Sequence, residues 1–179
     1  MKKLLVIFLL LSGFSCNPYH PYFFTHYHIT ASYDPSTTSL SANVQMVFVA
    51  GQEYHDSITF QLNESVEILS LTAQELKYYE FNKGLLVLYI EEVVLKGDQI
   101  HISMTYEGMI GDGPDRGDLL TPDKLWYPVN RGIDKLTYSI QLDLPEQYRL
   151  EEPWIREGQS WHWGTKKPMA SIALPQGTG

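Results

Sequence analysis

The segment that most limits how this chain can fold is residues 119–145, LLTPDKLWYPVNRGIDKLTYSIQLDLP. Its second half places Leu136, Tyr138, Ile140, Leu142 and Leu144 at every other position, with Thr137, Ser139, Gln141 and Asp143 between them. Successive side chains of an extended strand point to opposite faces, so alternation over that length specifies a strand buried on one side. Pro145 ends it, because proline has no backbone N–H to continue a ladder. Ahead of this strand, Trp126-Tyr127-Pro128 follows a loop rich in Gly and Asp.

The same period of two recurs before it. Residues 26–33 alternate Tyr27, Ile29, Ala31 and Tyr33 with His26, His28, Thr30 and Ser32, and residues 40–48 put Leu40, Ala42, Val44, Met46 and Phe48 on one face. The turn-forming run Asp34-Pro35-Ser36-Thr37-Thr38-Ser39 joins them into an antiparallel hairpin. Ile58, Phe60 and Leu62 mark a third strand and residues 66–72 a fourth. Residues 76–81 and 85–90 form a second hairpin across Asn82-Lys83-Gly84, and Ile100, Ile102, Met104 and Tyr106 define the strand after the turn at Lys96-Gly97-Asp98. Beyond the central strand, residues 148–152, 160–163 and 170–174 are further candidates. No long segment carries a helical period. Short strands separated by turns, without helices between them, predict an all-β fold, an antiparallel β-sandwich or saddle-like pair of sheets.

Met1-Lys2-Lys3, the apolar run Leu4 to Leu11, and the small residues ahead of Cys16 have the order of a secretory signal. The apolar run is far shorter than the ~20 residues of a membrane-spanning helix. Cys16 is the only cysteine, so no intramolecular disulfide can form, and its place resembles the cut site of a bacterial lipoprotein signal. The expectation is a signal peptide over residues 1–15, diacylated Cys16 as the membrane anchor, a tether to residue 25 and one β domain over residues 26–179. A bacterial cell-envelope location follows from the same reading. The acidic balance, −8 at pH 7, argues against nucleic acid as a partner.

With the strands placed, the order of short motifs resembles the N-terminal β-saddle domain of the aminopeptidase N family of zinc metallopeptidases. The residues that carry this are the strand from Tyr27 to Tyr33, Asp34-Pro35, Leu40-Ser41-Ala42-Asn43-Val44, Met104-Thr105-Tyr106-Glu107-Gly108 and Trp126-Tyr127-Pro128, then Leu144-Pro145 and Trp163-Gly164-Thr165 to Pro168. The resemblance spans roughly residues 26 to 174. It implies a domain that precedes a thermolysin-like catalytic domain. The family's H-E-x-x-H zinc motif and its G-x-M-E-N element are both missing from the 179 residues. Where many active members carry a Gln or Glu for the substrate amine, this sequence has Leu119 and Leu120. No catalytic, metal or cofactor residue of the family is therefore carried over.

Three other groups invite a functional reading. His26 and His28 lie two apart on a strand and so share a face, but two ligands are too few for a stable site unless His55, His101, His162 or a carboxylate joins them. Gly111 to Asp118 offers three carboxylates in a loop that lacks the EF-hand pattern, as a solvated turn would. Trp154, Trp161 and Trp163, with His162, suggest either an aromatic platform or sheet-to-sheet packing, and packing is the expectation for side chains of that size. The chain is thus expected to be non-catalytic, with a structural or protein-interaction role and a docking surface near Trp163, Met169 and Ile172. The alternatives are the front piece of a split or truncated zinc aminopeptidase, and a surface lipoprotein that binds glycans or peptides.

Overall fold

The computed structural model describes residues 24–111, 120, 122–130, 135–150 and 153–169. They form ten strands: β1 Phe24–Asp34, β2 Ser39–Val49, β3 Ser57–Gln61, β4 Val66–Ala73, β5 Leu76–Asn82, β6 Leu85–Ile90, β7 Gln99–Met109, β8 Lys135–Asp143, β9 Ile155–Glu157 and β10 Ser160–Met169. One 3-10 turn at Pro122–Lys124 precedes β8. The fold is all-β, as the alternation predicted.

The strands make two sheets. Seven lie in the order β4-β7-β2-β1-β8-β10-β9 and three in the order β3-β6-β5. All neighbours are antiparallel except β1 and β8, which run parallel with Tyr27 opposite Tyr138 and Ile29 opposite Ile140. A parallel pair needs a long crossover; here it is everything from β2 to the start of β8. The hairpin of β1 and β2 is confirmed in register, with Tyr33 opposite Leu40. Its turn is fixed by the Asp34 carboxylate, which accepts hydrogen bonds from Ser36 N at 2.9 Å and Ser36 Oγ at 2.7 Å. Those bonds hold the Asp34 carboxyl below its ordinary pKa. The β5–β6 turn is two residues long, Lys83 and Gly84, both with positive φ (48° and 77°), which is the backbone twist a tight hairpin requires.

Two expectations at the C-terminal side change. Of the strand expected at residues 148–152, residues 148–150 show only an isolated bridge at Arg149, because Pro145 opens a turn: Tyr148 N donates to Pro145 O at 3.0 Å and Arg149 Nη1 to Glu146 O at 2.7 Å. Residues 151–152 lie outside the described residues. Ile155–Glu157, which carries no legible alternation, becomes the edge strand β9 beside β10. The expected strand at residues 170–174 lies outside the described residues.

The inward faces of both sheets supply one core, including Ile29, Val44, Phe48, Phe60, Leu88, Met104 and Leu142, all 2% exposed or less. Between the sheets runs an irregular strap, residues 126–130, WYPVN. Trp126 and Tyr127 are buried in it and meet edge to face at 5.2 Å. Backbone atoms of a strap threaded through a core still need partners. The small sheet supplies some: Gln61 N donates to Val129 O at 2.7 Å, Val129 N to Gln61 O at 2.8 Å, and Asn63 N to Leu125 O at 2.9 Å. The large sheet supplies others through tyrosines, Tyr106 Oη donating to Trp126 O at 2.6 Å and Tyr27 Oη to Pro128 O at 2.7 Å. The strap joins the two layers chemically as well as sterically.

Candidate functional site

The outward face of the seven-stranded sheet is polar. It is built by the other half of each alternation, so His26 and His28 on β1 project to solvent, as their spacing predicted. Parallel register sets them opposite Thr137 and Ser139 of β8. His26 Nδ1 lies 2.8 Å from Thr137 Oγ1, and His28 Nδ1 lies 2.7 Å from Ser139 Oγ. Each ring is thereby held by a hydroxyl 111 residues away in the chain.

On the β2 side these histidines border a shallow groove of about 380 Å³, which Gln45, Thr72, Gln74 and His101 also line. His101 thus shares a surface with the pair. Among the described residues, however, no group of three or more His, Cys, Asp or Glu converges closely enough to hold a metal ion. His55 sits elsewhere, beside Glu53 at 3.4 Å, whereas His162, beside Glu157 at 4.0 Å, lines a second shallow groove with His28 and Ser139 on the β8 side.

Ser139 and His28 have the separation of a nucleophile and its base. Such a pair also requires a group that orients the ring and donors for a developing oxyanion. Among the described residues, the carboxylates within 4.0 Å of a histidine are Glu53 at His55 and Glu157 at His162. The hydroxyl contacts hold the two surface rings in place.

The tryptophan group is packing, as expected. Trp154 and Trp161 are buried, and Trp163, partly buried, meets Tyr138 edge to face at 5.0 Å and Trp154 at 5.4 Å. Arg156, directly opposite on β9, places its guanidinium 5.7 Å from the centre of the Trp161 ring. No exposed aromatic platform arises from Trp154 or Trp161. Of the expected docking residues, Trp163 occupies this cluster; the Met169 side chain and Ile172 lie outside the described residues, as do Cys16 and residues 112–118.

Two features escaped the sequence reading. One is the set of tyrosine hydroxyls that bind the strap. A tyrosine at an inward strand position must find an acceptor, and Tyr27 and Tyr106 carried that signal. Burial pushes both hydroxyls far above the ordinary tyrosine pKa, and it pushes Tyr138 up to about 12. The other is the outer side of the small sheet, where Tyr78 and Tyr89 stack at 4.3 Å and Tyr89 Oη donates to Glu80 Oε2 at 3.2 Å.

No protein-family model matches the sequence, and no curated protein sequence is similar to it. Solved structures are. An M1 zinc metallopeptidase from Deinococcus radiodurans superposes with a TM-score of 0.61 at 13% identity, over 82% of this chain and 39% of that one. A variant of the Deinococcus enzyme bound to a Tyr-Ser-Ala substrate gives 0.60 at 13% identity with the same coverage. A two-domain M1 zinc metallopeptidase bound to L-arginine also gives 0.60 at 13%. At this identity the likeness is one of fold. The class the strands define is a β saddle of two sheets. More particularly, the chain resembles the N-terminal region of M1 zinc metallopeptidases and spans 39% of the length of those chains.

Proposed function

We propose that this chain is an exported, lipid-anchored β domain without catalysis of its own, serving a structural or protein-interaction role in a bacterial envelope. The observation that carries the non-catalytic reading is in the sequence: its 179 residues contain no H-E-x-x-H segment, although the fold accompanies that motif in the enzymes it resembles. A zinc peptidase needs both ligands and a general base. The anchor reading rests on the basic, apolar and small-residue order ending at Cys16. Two acyl chains give durable membrane attachment where one does not. Partner docking is assigned to the C-terminal edge near Trp163, Met169 and Ile172.

Mass spectrometry of the mature protein tests the anchor, with a diacylated Cys16 at the N-terminus expected. Elemental analysis and an aminoacyl-anilide assay test the rest, with neither stoichiometric zinc nor turnover expected. A second reading is favoured by the 39% coverage: the chain is the N-terminal part of a split or truncated zinc aminopeptidase. Activity restored on mixing with a separate H-E-x-x-H protein would replace the first reading with the second.

A further inference from the structure

The small sheet has two edges, and they differ. At β3 the strap occupies the edge through the paired bonds of Gln61 and Val129. At the other edge no described strand pairs with the free side of β5. Lys77, Tyr78, Tyr79 and Glu80 are exposed in succession, on both faces of the strand. Leu76 and Phe81 are only partly buried against the core. The edges of the large sheet are guarded in familiar ways. β4 is interrupted by a register shift between Ile68 and Ser70, and β9 is three residues long. β5 combines length, aromatic side chains and a ladder of backbone donors and acceptors that no described strand pairs. The shift at Lys77, between Leu76 and Tyr78, leaves residues 78–82 in regular register.

We propose that a second copy of this chain occupies that edge, β5 against β5, antiparallel, with Tyr79 on the two-fold axis. A symmetric pairing of identical edges closes on itself and leaves no further strand to recruit. Charge selects the register. Residues directly opposite must share a face, so the axis falls on a residue and neighbouring choices differ by one position. With Tyr79 on the axis, Tyr78 faces Glu80 of the second copy. The same register brings Glu75, in the turn before β5, beside the second copy's Lys83, in the turn after it, and this happens twice. Moving the axis to Glu80 sets the two Glu80 carboxylates against each other and Lys77 against Lys83. Moving it to Tyr78 loses both Glu75–Lys83 pairs. The extra residue at Lys77 sets Glu75 opposite Asn82 of the second copy, one position from its Lys83. The pairing joins two three-stranded sheets into one of six. It is separate from the C-terminal edge and does not depend on it.

The test uses the full chain in detergent solution, with Cys16→Ser so that an introduced thiol is the only one. Opposed residues of an antiparallel pair have Cα atoms about 4.5–5.5 Å apart, within the reach of a disulfide. Tyr79→Cys should therefore form a disulfide dimer under mild oxidation, and Glu80→Cys should form at least about tenfold less. Lys83→Glu turns two attractions into repulsions, and sedimentation should show dimerisation weakened about tenfold. Adding Glu75→Lys to it should restore the dimer. Equal cross-linking at residues 79 and 80, or no rescue by the charge reversal, would overturn the register. A folded chain that stays monomeric at about 100 µM would overturn the proposal. So would a monomer whose β5 amides gain exchange protection from an unrelated extended peptide, which would make β5 a peptide-docking edge.

Discussion

The two edge strands of the three-stranded sheet differ: β3 alternates buried Ile58 and Phe60 with outward residues, whereas no residue of β5 is fully buried. β3 gives its free edge to residues 126–130, and the strap in turn is gripped from the far layer by Tyr27 and Tyr106. β5 has no described strand along its outer edge, and its aromatic rings are exposed. The difference teaches where stability and association can reside in a small β domain. A sealed edge transmits packing between layers; an open one offers backbone bonds to another chain.

The largest effect that would sharpen this contrast is at the strap. Trp126→Ala removes the biggest fully buried side chain and should cost about 3–5 kcal/mol, a large part of a typical domain's stability. Urea unfolding followed by circular dichroism measures it, with Tyr79→Ser on β5 as the control expected within about 0.5 kcal/mol. Comparable losses at both sites would break the comparison.

Alkali probes the same region. Burial raises the pKa of Tyr27 and Tyr106 in the folded state, so above pH 10 the unfolded chain releases protons that the folded one retains. Their contribution is complete below the ordinary tyrosine pKa and declines above it, by about 1.4 kcal/mol per group for each further pH unit. Unfolding midpoints should be level from pH 8 to 9 and fall between pH 10 and 11. Replacing both tyrosines with phenylalanine should flatten that fall.

Near neutrality the individual Tyr27→Phe and Tyr106→Phe changes are smaller. Each strands a buried carbonyl of the strap, for about 1–3 kcal/mol. A double substitution of Tyr106→Phe and Trp126→Ala should cost less than the sum, since both act on the same segment. Smallest is the outer face. His28→Ala removes an exposed ring and its bond to Ser139, and thermal unfolding should shift by no more than an amount equivalent to about 0.5 kcal/mol. A large loss there would mean that the outer face takes part in holding the sheets together.

The fold was legible to the extent that alternation carried it. Tyr27, Ile29, Ala31 and Tyr33 lie inward and His26 and His28 outward, as a period of two requires. The hairpin at residues 34–39 and the turn at Lys83-Gly84 were legible because their chemistry is local. At residues 148–150 the alternation was only partly informative: Leu150 is buried, but Pro145 commits the backbone ahead of it to a turn. Of the outer-face candidates, the shared side of His26 and His28 was readable. Their hydroxyl partners were not, since Thr137 and Ser139 become neighbours only through the parallel pairing of β1 with β8.

By itself the sequence determined which residues of each strand face inward, because side-chain direction along an extended backbone depends on position alone. It also determined that Tyr27 and Tyr106, once inward, would need acceptors. Only the tertiary structure decided who the neighbours are: β8 beside β1, the strap along β3, and nothing described along β5. Backbone hydrogen bonds carry no sequence label, so any strand edge can in principle accept any other. The choice falls to packing of the two apolar faces against each other, and that is settled by the whole chain at once.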